Sequence, residues 1–438
     1  MVPSLPRRLA PLVLIAGVAA ILRIAALGSP NEIYFDETYY ANDARVYLDG
    51  LSAYNRPLDF DATAPPSQPP PSLGVRGEKS WVHPPLGKWV IALGEAIVGA
   101  ESPWGRRIVP ALFGIGTVVL VYLIALELTA QSLVWASLAA SFAALDGLLI
   151  VESRISVLDP ILTGFVCLGA WCLLRDRDSI DGRPWYGSRW RIGAGCAFGA
   201  AVATKWSGLL ALLPALALAV AWTVSDRRVR AEAAGLLLSF VAIPIGIYLV
   251  SYTGWFVEHG PDLGKFFALQ RQIAHYHGTL KVTHAYQSQA AGWPLILRPV
   301  AYYYKAPDAG GSVHHILAMG NPGLWWPFLA ALPLLLAMAV RRSGWDARFT
   351  AAFLLSQYVP WLLVHRPLFL YYMTPVVPFM ALGMAQAVES LPRGLRAGAA
   401  VTVCVAVALG ALIWMPVWIG YGVSRSHWGH LMLFRSWI

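Results

Sequence analysis

Long uninterrupted apolar runs dictate what this chain can become. Residues 397–419, for example, run from an Arg-containing segment to Gly420 without a single charge. A helix needs roughly 17–25 apolar residues to cross a bilayer, and this run supplies them. About eleven such runs can be counted, near 10–28, 107–126, 131–150, 156–174, 192–205, 207–224, 233–252, 323–340, 348–364, 370–388 and 397–419. The two on either side of Lys205 are nearly continuous. Only 13% of the 438 residues are charged, about half the share of a soluble domain. A water-facing surface cannot be made from so few ionic groups. The expected class is an all-α polytopic membrane protein, a single transmembrane domain over residues 1–438. A membrane β-barrel would instead show short alternating segments.

The net charge of +9 does not imply nucleic acid as a partner. Arginines gather between apolar runs: Arg7 and Arg8, Arg175 to Arg191, Arg227, Arg228 and Arg230, Arg341, Arg342 and Arg348, and Arg393 with Arg396. This is how cytoplasmic loops look under the positive-inside rule. The first run exceeds the 7–15 residues typical of a signal-peptide core. It is therefore expected to be retained, with the N-terminus cytoplasmic and residues 421–438 outside. Cys167, Cys172, Cys196 and Cys404 all lie within apolar runs and suggest neither disulfides nor zinc spacing.

Two longer segments then face outward, residues 28–106 and 253–321. In the first, residues 56–80 are Pro-rich and read as an extended insert. Residues 86–100 are apolar but too short to span, and follow Pro84 and Pro85, which suit a helix start. They predict an interfacial helix, and residues 36–49 predict a second one. Gly195 and Gly199 form a small-xxx-small pattern suited to close helix packing.

Ionisable residues cluster at the predicted outer helix ends: Asp36, Glu37, His83, Lys88, Arg107, Arg154, Asp159, Lys205 and Arg366. Near hydrocarbon such groups are costly and usually face a partner or a cavity. Any one of them can be a simple interface anchor; nine on one face point to a site. Arginine and lysine suit a phosphate, and a carboxylate suits a general base. Neighbours on a helix point about 100° apart, so one of Asp36 and Glu37 faces the site while the other orients a partner. Spacing does not decide which. His275, His277, His284, His314 and His315 are metal-type donors. No cysteine or carboxylate joins them at a fixed spacing, so no metal site is assigned and dependence on a divalent metal stays open.

The motifs resemble those of the protein O-mannosyltransferases, membrane-embedded glycosyltransferases of the GT-C class. The resemblance begins with Asp36-Glu37 and residues 81–88 (WVHPPLGK). It continues through 107–114 (RIVPALFG), 153–160 (SRISVLDP), 204–208 (TKWSG), 293–299 (WPLILRP), 320–326 (GNPGLWW) and 366–378 (RPLFLYYMTPVVP). It implies a GT-C fold of about eleven transmembrane helices with interfacial helices outside. The implied donor is polyprenyl-phosphate mannose, the acceptor a Ser or Thr of a secreted protein near the translocon, and no cofactor is required. Asp36 would be the base or acceptor-positioning residue, with Glu37 beside it. His83, Lys88, Arg107, Arg154, Asp159, Lys205, Trp206, Arg366, Tyr371 and Tyr372 would serve the donor and its phosphate. Trp293 and Arg298 would lie on the acceptor side. The outer segment 253–321 is too short for the β-trefoil domain of eukaryotic members, which suggests a bacterial enzyme of the cell membrane. Two other readings are a transferase acting on a lipid or glycolipid, and a transporter of a lipid-linked sugar. The transporter reading predicts ionisable groups at mid-depth, whereas here they sit at helix ends.

Overall fold

A computed structural model describes residues 5–49, 78–178, 187–227, 229–307, 311–341 and 344–438. Most of the predicted Pro-rich insert lies outside the described residues. The chain is mostly helical. It opens with α1 (Leu5–Ile24), then α2 (Glu37–Asp49), α3 (Leu86–Val98), α4 (Pro103–Leu128), α5 (Leu133–Ala144), α6 (Gly147–Ser153), α7 (Asp159–Asp178) and α8 (Arg189–Thr204). After Lys205 come α9 (Leu209–Ser225), α10 (Val229–Leu237), α11 (Ile243–Ser251), α12 (Thr253–His259) and α13 (Leu263–Thr279). The last third holds α14 (Pro322–Ala339), α15 (Trp345–Tyr358), α16 (Val377–Ser390), α17 (Arg393–Ile419) and α18 (Arg425–Leu431).

Five helical stretches among the described residues are long and apolar enough to cross a membrane: Pro103–Leu128, Trp206–Ser225, Glu232–Ser251, Pro322–Ala339 and Arg393–Ile419. The α5–α6 pair, bent by 59°, makes a sixth. That is fewer than the eleven apolar runs. The other runs do fold as helices, but charges at their ends or breaks inside them shorten the apolar part. The run at 348–364 ends its α-helix at Tyr358 and continues as a 3₁₀ turn; the run at 370–388 starts as a 3₁₀ turn and becomes α-helical only at Val377.

Helix α4 is the hub, packing on α1, α3, α5 and α7, while α7 pairs with α8 and α8 with α11. Both short helices expected in the first outer segment form, as α2 and α3. The Gly195 and Gly199 pattern is a close crossing: a Cβ at Gly195 would overlap the Ser239 carbonyl, and one at Gly199 would lie 2.8 Å from the Pro244 Cα. The contact falls where the helix widens into a π-type turn over Leu238–Ala242.

The all-α expectation needs one addition. Strands β1 (Val300–Lys305), β2 (Ser312–Ala318) and β3 (Val423–Ser424) form a small antiparallel sheet in that order. Val300 and the three consecutive tyrosines Tyr302, Tyr303 and Tyr304, residue types that favour a pleated half-buried surface, make up most of β1. The C-terminal segment closes over this region, with Trp437 buried and donating to the Ile296 carbonyl at 2.6 Å.

Candidate active site at the helix ends

Helix ends deliver the polar residues to one place. Asp159 opens α7, and Lys205 follows α8 in extended conformation (φ −153°, ψ 138°). That break turns one apolar run into two helices and frees the Lys205 side chain from a helical surface. Its ammonium donates to both carboxylate oxygens of Asp159, at 2.9 and 2.8 Å. The pair lines a cavity of about 330 Å³ together with His83, Trp206, His277, Gln357, Trp361, Arg366 and Tyr372. Lys205 also lies over the Tyr372 ring, 5.3 Å from its centroid, and Arg366 lies 5.9 Å from the same ring. Cation–π contacts of this kind hold a charge without neutralising it.

Asp36 stands just before α2 and remains partly exposed. No described residue donates a hydrogen bond to its carboxylate. Burial raises its pKa to about 7, against the opposing pull of Lys205 and with a smaller push from Asp159. Loss of water disfavours the charged carboxylate, so Asp36 changes protonation near neutrality.

The histidines beside it stay neutral. Burial is the largest influence holding His83 well below the ordinary value, with Lys205 next. Burial likewise brings His277 down to about 4. A carbonyl only accepts, so the 3.0 Å contact between His277 Nε2 and the Val82 carbonyl places the proton on Nε2. Nδ1 is then the acceptor for Arg366 Nη1 at 3.4 Å. His277 thus orients Arg366 from the far side of the cavity.

Glu37 points elsewhere. It is fully buried and takes the Arg107 guanidinium bidentately, at 2.6 and 2.9 Å. The remaining Arg107 donors go to the carbonyls of Leu27, Pro30 and Glu32. All five N–H groups of an arginine are therefore committed, in contrast to the expected role on a phosphate. Glu37 also accepts from the Ser156 amide at 3.2 Å. It fastens α2 to α4 and to the turn before α7.

Three other expected donor-site residues are similarly occupied. Lys88 is buried between Glu78, with which it pairs closely, and Asp43 at 3.7 Å. Arg154 donates to the carbonyls of Leu22, Arg23, Ala25 and Ala26, capping the C-terminal end of α1. Tyr371 is buried against Phe35 and Tyr302. On the expected acceptor side, Trp293 is buried and bonded to Ser288, and Arg298 holds the carbonyls of Ser436 and Ala285. The Arg298 contacts pin the C-terminal segment, while Trp293 stands behind the cavity wall, edge-on to the lining Tyr372 at 6.1 Å.

Among the described residues no three His, Cys, Asp or Glu side chains gather as metal ligands. His284 packs on Phe369, His314 contacts the Gly420 carbonyl and His315 accepts from Trp428. Sequence reasoning missed Gln357, Trp361 and the place of His277, which come from segments far apart in the chain. The HxH spacing drew attention to His277 for a different reason.

Comparison with known proteins agrees with this architecture. A polyprenol-phosphate-mannose–protein mannosyltransferase of Mycolicibacterium smegmatis (strain MKD8) is 28% identical, covering 97% of this chain and 92% of its own. The S. cerevisiae protein O-mannosyltransferase Pmt1-Pmt2 complex bound to the sugar donor superposes with a TM-score of 0.81 at 13% identity, over 100% of this chain and 93% of that one. ArnT from Cupriavidus metallidurans bound to undecaprenyl phosphate follows with a TM-score of 0.58 at 18% identity, over 95% and 76%. The fold is thus that of the GT-C glycosyltransferases. Residues 262–437 match the C-terminal four TMM region of protein-O-mannosyltransferase. With residues 13–259 matching the dolichyl-phosphate-mannose-protein mannosyltransferase profile, the chain belongs to that family.

Proposed function

We propose that this enzyme transfers mannose from polyprenyl-phosphate mannose to Ser or Thr hydroxyls of secreted proteins, with Asp36 as the base. One observation carries the assignment: the Asp159–Lys205 pair and Arg366 line a single cavity, and Asp36 stands close enough to that pair to feel both its charges, although the four residues come from separate parts of the chain. The 28%-identical mycobacterial relative named for this reaction supports it.

In the reaction, the acceptor oxygen attacks C1 of the mannose while its proton passes to the Asp36 carboxylate. The C1–O bond to the phosphate breaks, and the polyprenyl phosphate leaves with the electron pair. Lys205 and Arg366 hold the departing phosphate, and Asp159 keeps Lys205 charged and oriented. A cation placed where charge develops is worth most in a water-poor site. A phosphate leaves without needing a proton, so one base suffices. A single displacement inverts the anomeric centre. Glu37 and Arg107 hold the platform on which Asp36 stands, and Lys88, Arg154 and Arg298 are likewise structural.

The Arg-rich loops lie in the cytoplasm with the N-terminus, and the cavity opens on the outer face of the cell membrane. There it meets both the lipid donor and chains emerging from the translocon. The deciding assay supplies labelled polyprenyl-phosphate mannose with a Ser/Thr-rich peptide and, in parallel, a lipid acceptor. Hexose added to the peptide supports the proposal, whereas transfer to the lipid alone would refute it.

A further inference from the structure

Directly before Asp36, the backbone adopts an unusual conformation for which the reaction above gives no reason. Phe35 has φ 52°, in the left-handed region, where a bulky residue persists only if its surroundings over-determine it. Those surroundings are aromatic. The Phe35 ring stacks on Tyr302 with centroids 3.9 Å apart and planes 15° apart. Tyr371 meets both rings edge-on, at 5.8 and 6.0 Å.

Tyr302 reaches this position through an irregularity. The β1–β2 register shifts between Ala301 and Tyr303, so Tyr302 is the extra residue, and a bulge of this kind re-aims a side chain. Its hydroxyl donates to Oε1 of Glu152, on α6. Glu152 is buried, and its Oε2 has no hydrogen-bond partner among the described residues. A buried acceptor left unsatisfied is costly. The one side-chain bond of this acid, at the end of a bent apolar pair, is the one from Tyr302. The charged groups nearest to it are Asp159, Lys205 and Asp36.

We infer that Glu152 is a positioning residue for mannosyl transfer: through Tyr302 it clamps the Phe35 ring and so fixes the corner that carries Asp36. The clamp joins α6, the second outer segment and the first outer segment at one point. It acts on the orientation of the base and leaves donor binding to Lys205 and Arg366. The inference rests on the reading of Asp36 as the base.

The test is steady-state transfer by the purified full-length protein, with kcat and donor KM measured separately and normalised to the folded fraction. Tyr302→Phe keeps the ring and removes the hydroxyl. Glu152→Leu removes the acceptor, and Glu152→Gln restores one. Small misplacements of a reacting group cost up to about 100-fold. Tyr302→Phe and Glu152→Leu should therefore lower kcat about 10- to 100-fold with donor KM unchanged. Glu152→Gln should recover most of the loss, and Tyr302→Phe combined with Glu152→Leu should be no worse than either alone. An unchanged kcat in Tyr302→Phe, a loss that vanishes once activity is normalised to the folded fraction, or a Gln variant as poor as the Leu variant would overturn the clamp. Full transfer by Asp36→Asn would instead strike the base assignment itself, which separates the two failures.

Discussion

Two acid–base pairs lie at helix ends near Asp36 and have opposite characters. Glu37 and Arg107 are both fully buried, and every arginine N–H has an acceptor. Asp159 and Lys205 retain side-chain exposures of 7% and 11% and border the cavity. Two ammonium protons face one carboxylate, and the third has no acceptor among the described residues. What separates a structural pair from a chemical one here is saturation, since both pairs have the same charge types and similar burial. A cation with a spare donor beside a cavity can take a phosphate. One with every donor bonded can only hold the fold.

The hardest way to break this comparison is to change the acid that neither pair neutralises. Asp36→Asn keeps the shape and removes the base, so transfer should fall about 10²- to 10⁴-fold. Its thermal unfolding should match the parent protein. Near-normal turnover in a mass-resolved transfer assay would remove Asp36 from the chemistry.

Arg107→Met should do the reverse. It leaves Glu37 as a buried charge deprived of its main partner, an effect usually worth about 3–5 kcal/mol. The melting temperature in detergent should drop sharply, while turnover per folded molecule stays close to that of the parent. Lys205→Met supplies the matching test on the other pair, with a loss in kcat of about 10²- to 10³-fold. If Arg107→Met lost turnover without losing stability, saturation would be the wrong criterion.

The contrast was only half legible in the amino-acid sequence. Apolar runs and Arg-rich loops announced the helices, and Pro84-Pro85 announced the start of α3. The ionisable residues at helix ends were visible as a group. Their partners were not, because pairing joins residues 70 positions apart in Arg107–Glu37 and 46 apart in Lys205–Asp159. Adjacent acids of the same chemical type, Asp36 and Glu37, separate only when the fold turns one into a buried clamp and leaves the other open. The aromatic Tyr302 and the lone Glu152 carried no spacing signal. The small sheet was missed for a related reason, since β3 is two residues long and is defined by its partner strand.

A milder test keeps every residue and varies the proton concentration. Asp36 is raised to about 7, chiefly by burial, and only its ionised form accepts a proton. Transfer should therefore rise with pH through about 7 and fall roughly tenfold per unit below it. The groups around Asp36 are Lys205, Asp159 and Glu152, with Tyr39, Tyr40, Tyr276 and Tyr371. In Arg107→Met the limb should stay in place, because Arg107 is engaged with Glu37. A limb near the ordinary carboxylate range would mean that solvent reaches Asp36 freely.

The smallest effect belongs to His277, which supports the chemical side without taking part in it. Its Nδ1 accepts from Arg366 while Nε2–H is fixed on the Val82 carbonyl. His277→Leu removes both hydrogen bonds, each worth about 0.5–1.5 kcal/mol. Arg366 then loses its orientation and keeps its charge, so donor KM should rise by roughly fivefold per bond that mattered, with kcat nearly intact. Because His277 is held to about 4, it is neutral throughout the range in which Asp36 titrates. The variant should shift the magnitude of transfer and leave the shape of the pH profile alone. A profile that changes shape on removing His277 would show that this ring exchanges a proton during turnover, and would move it from the supporting side of the cavity to the reacting one.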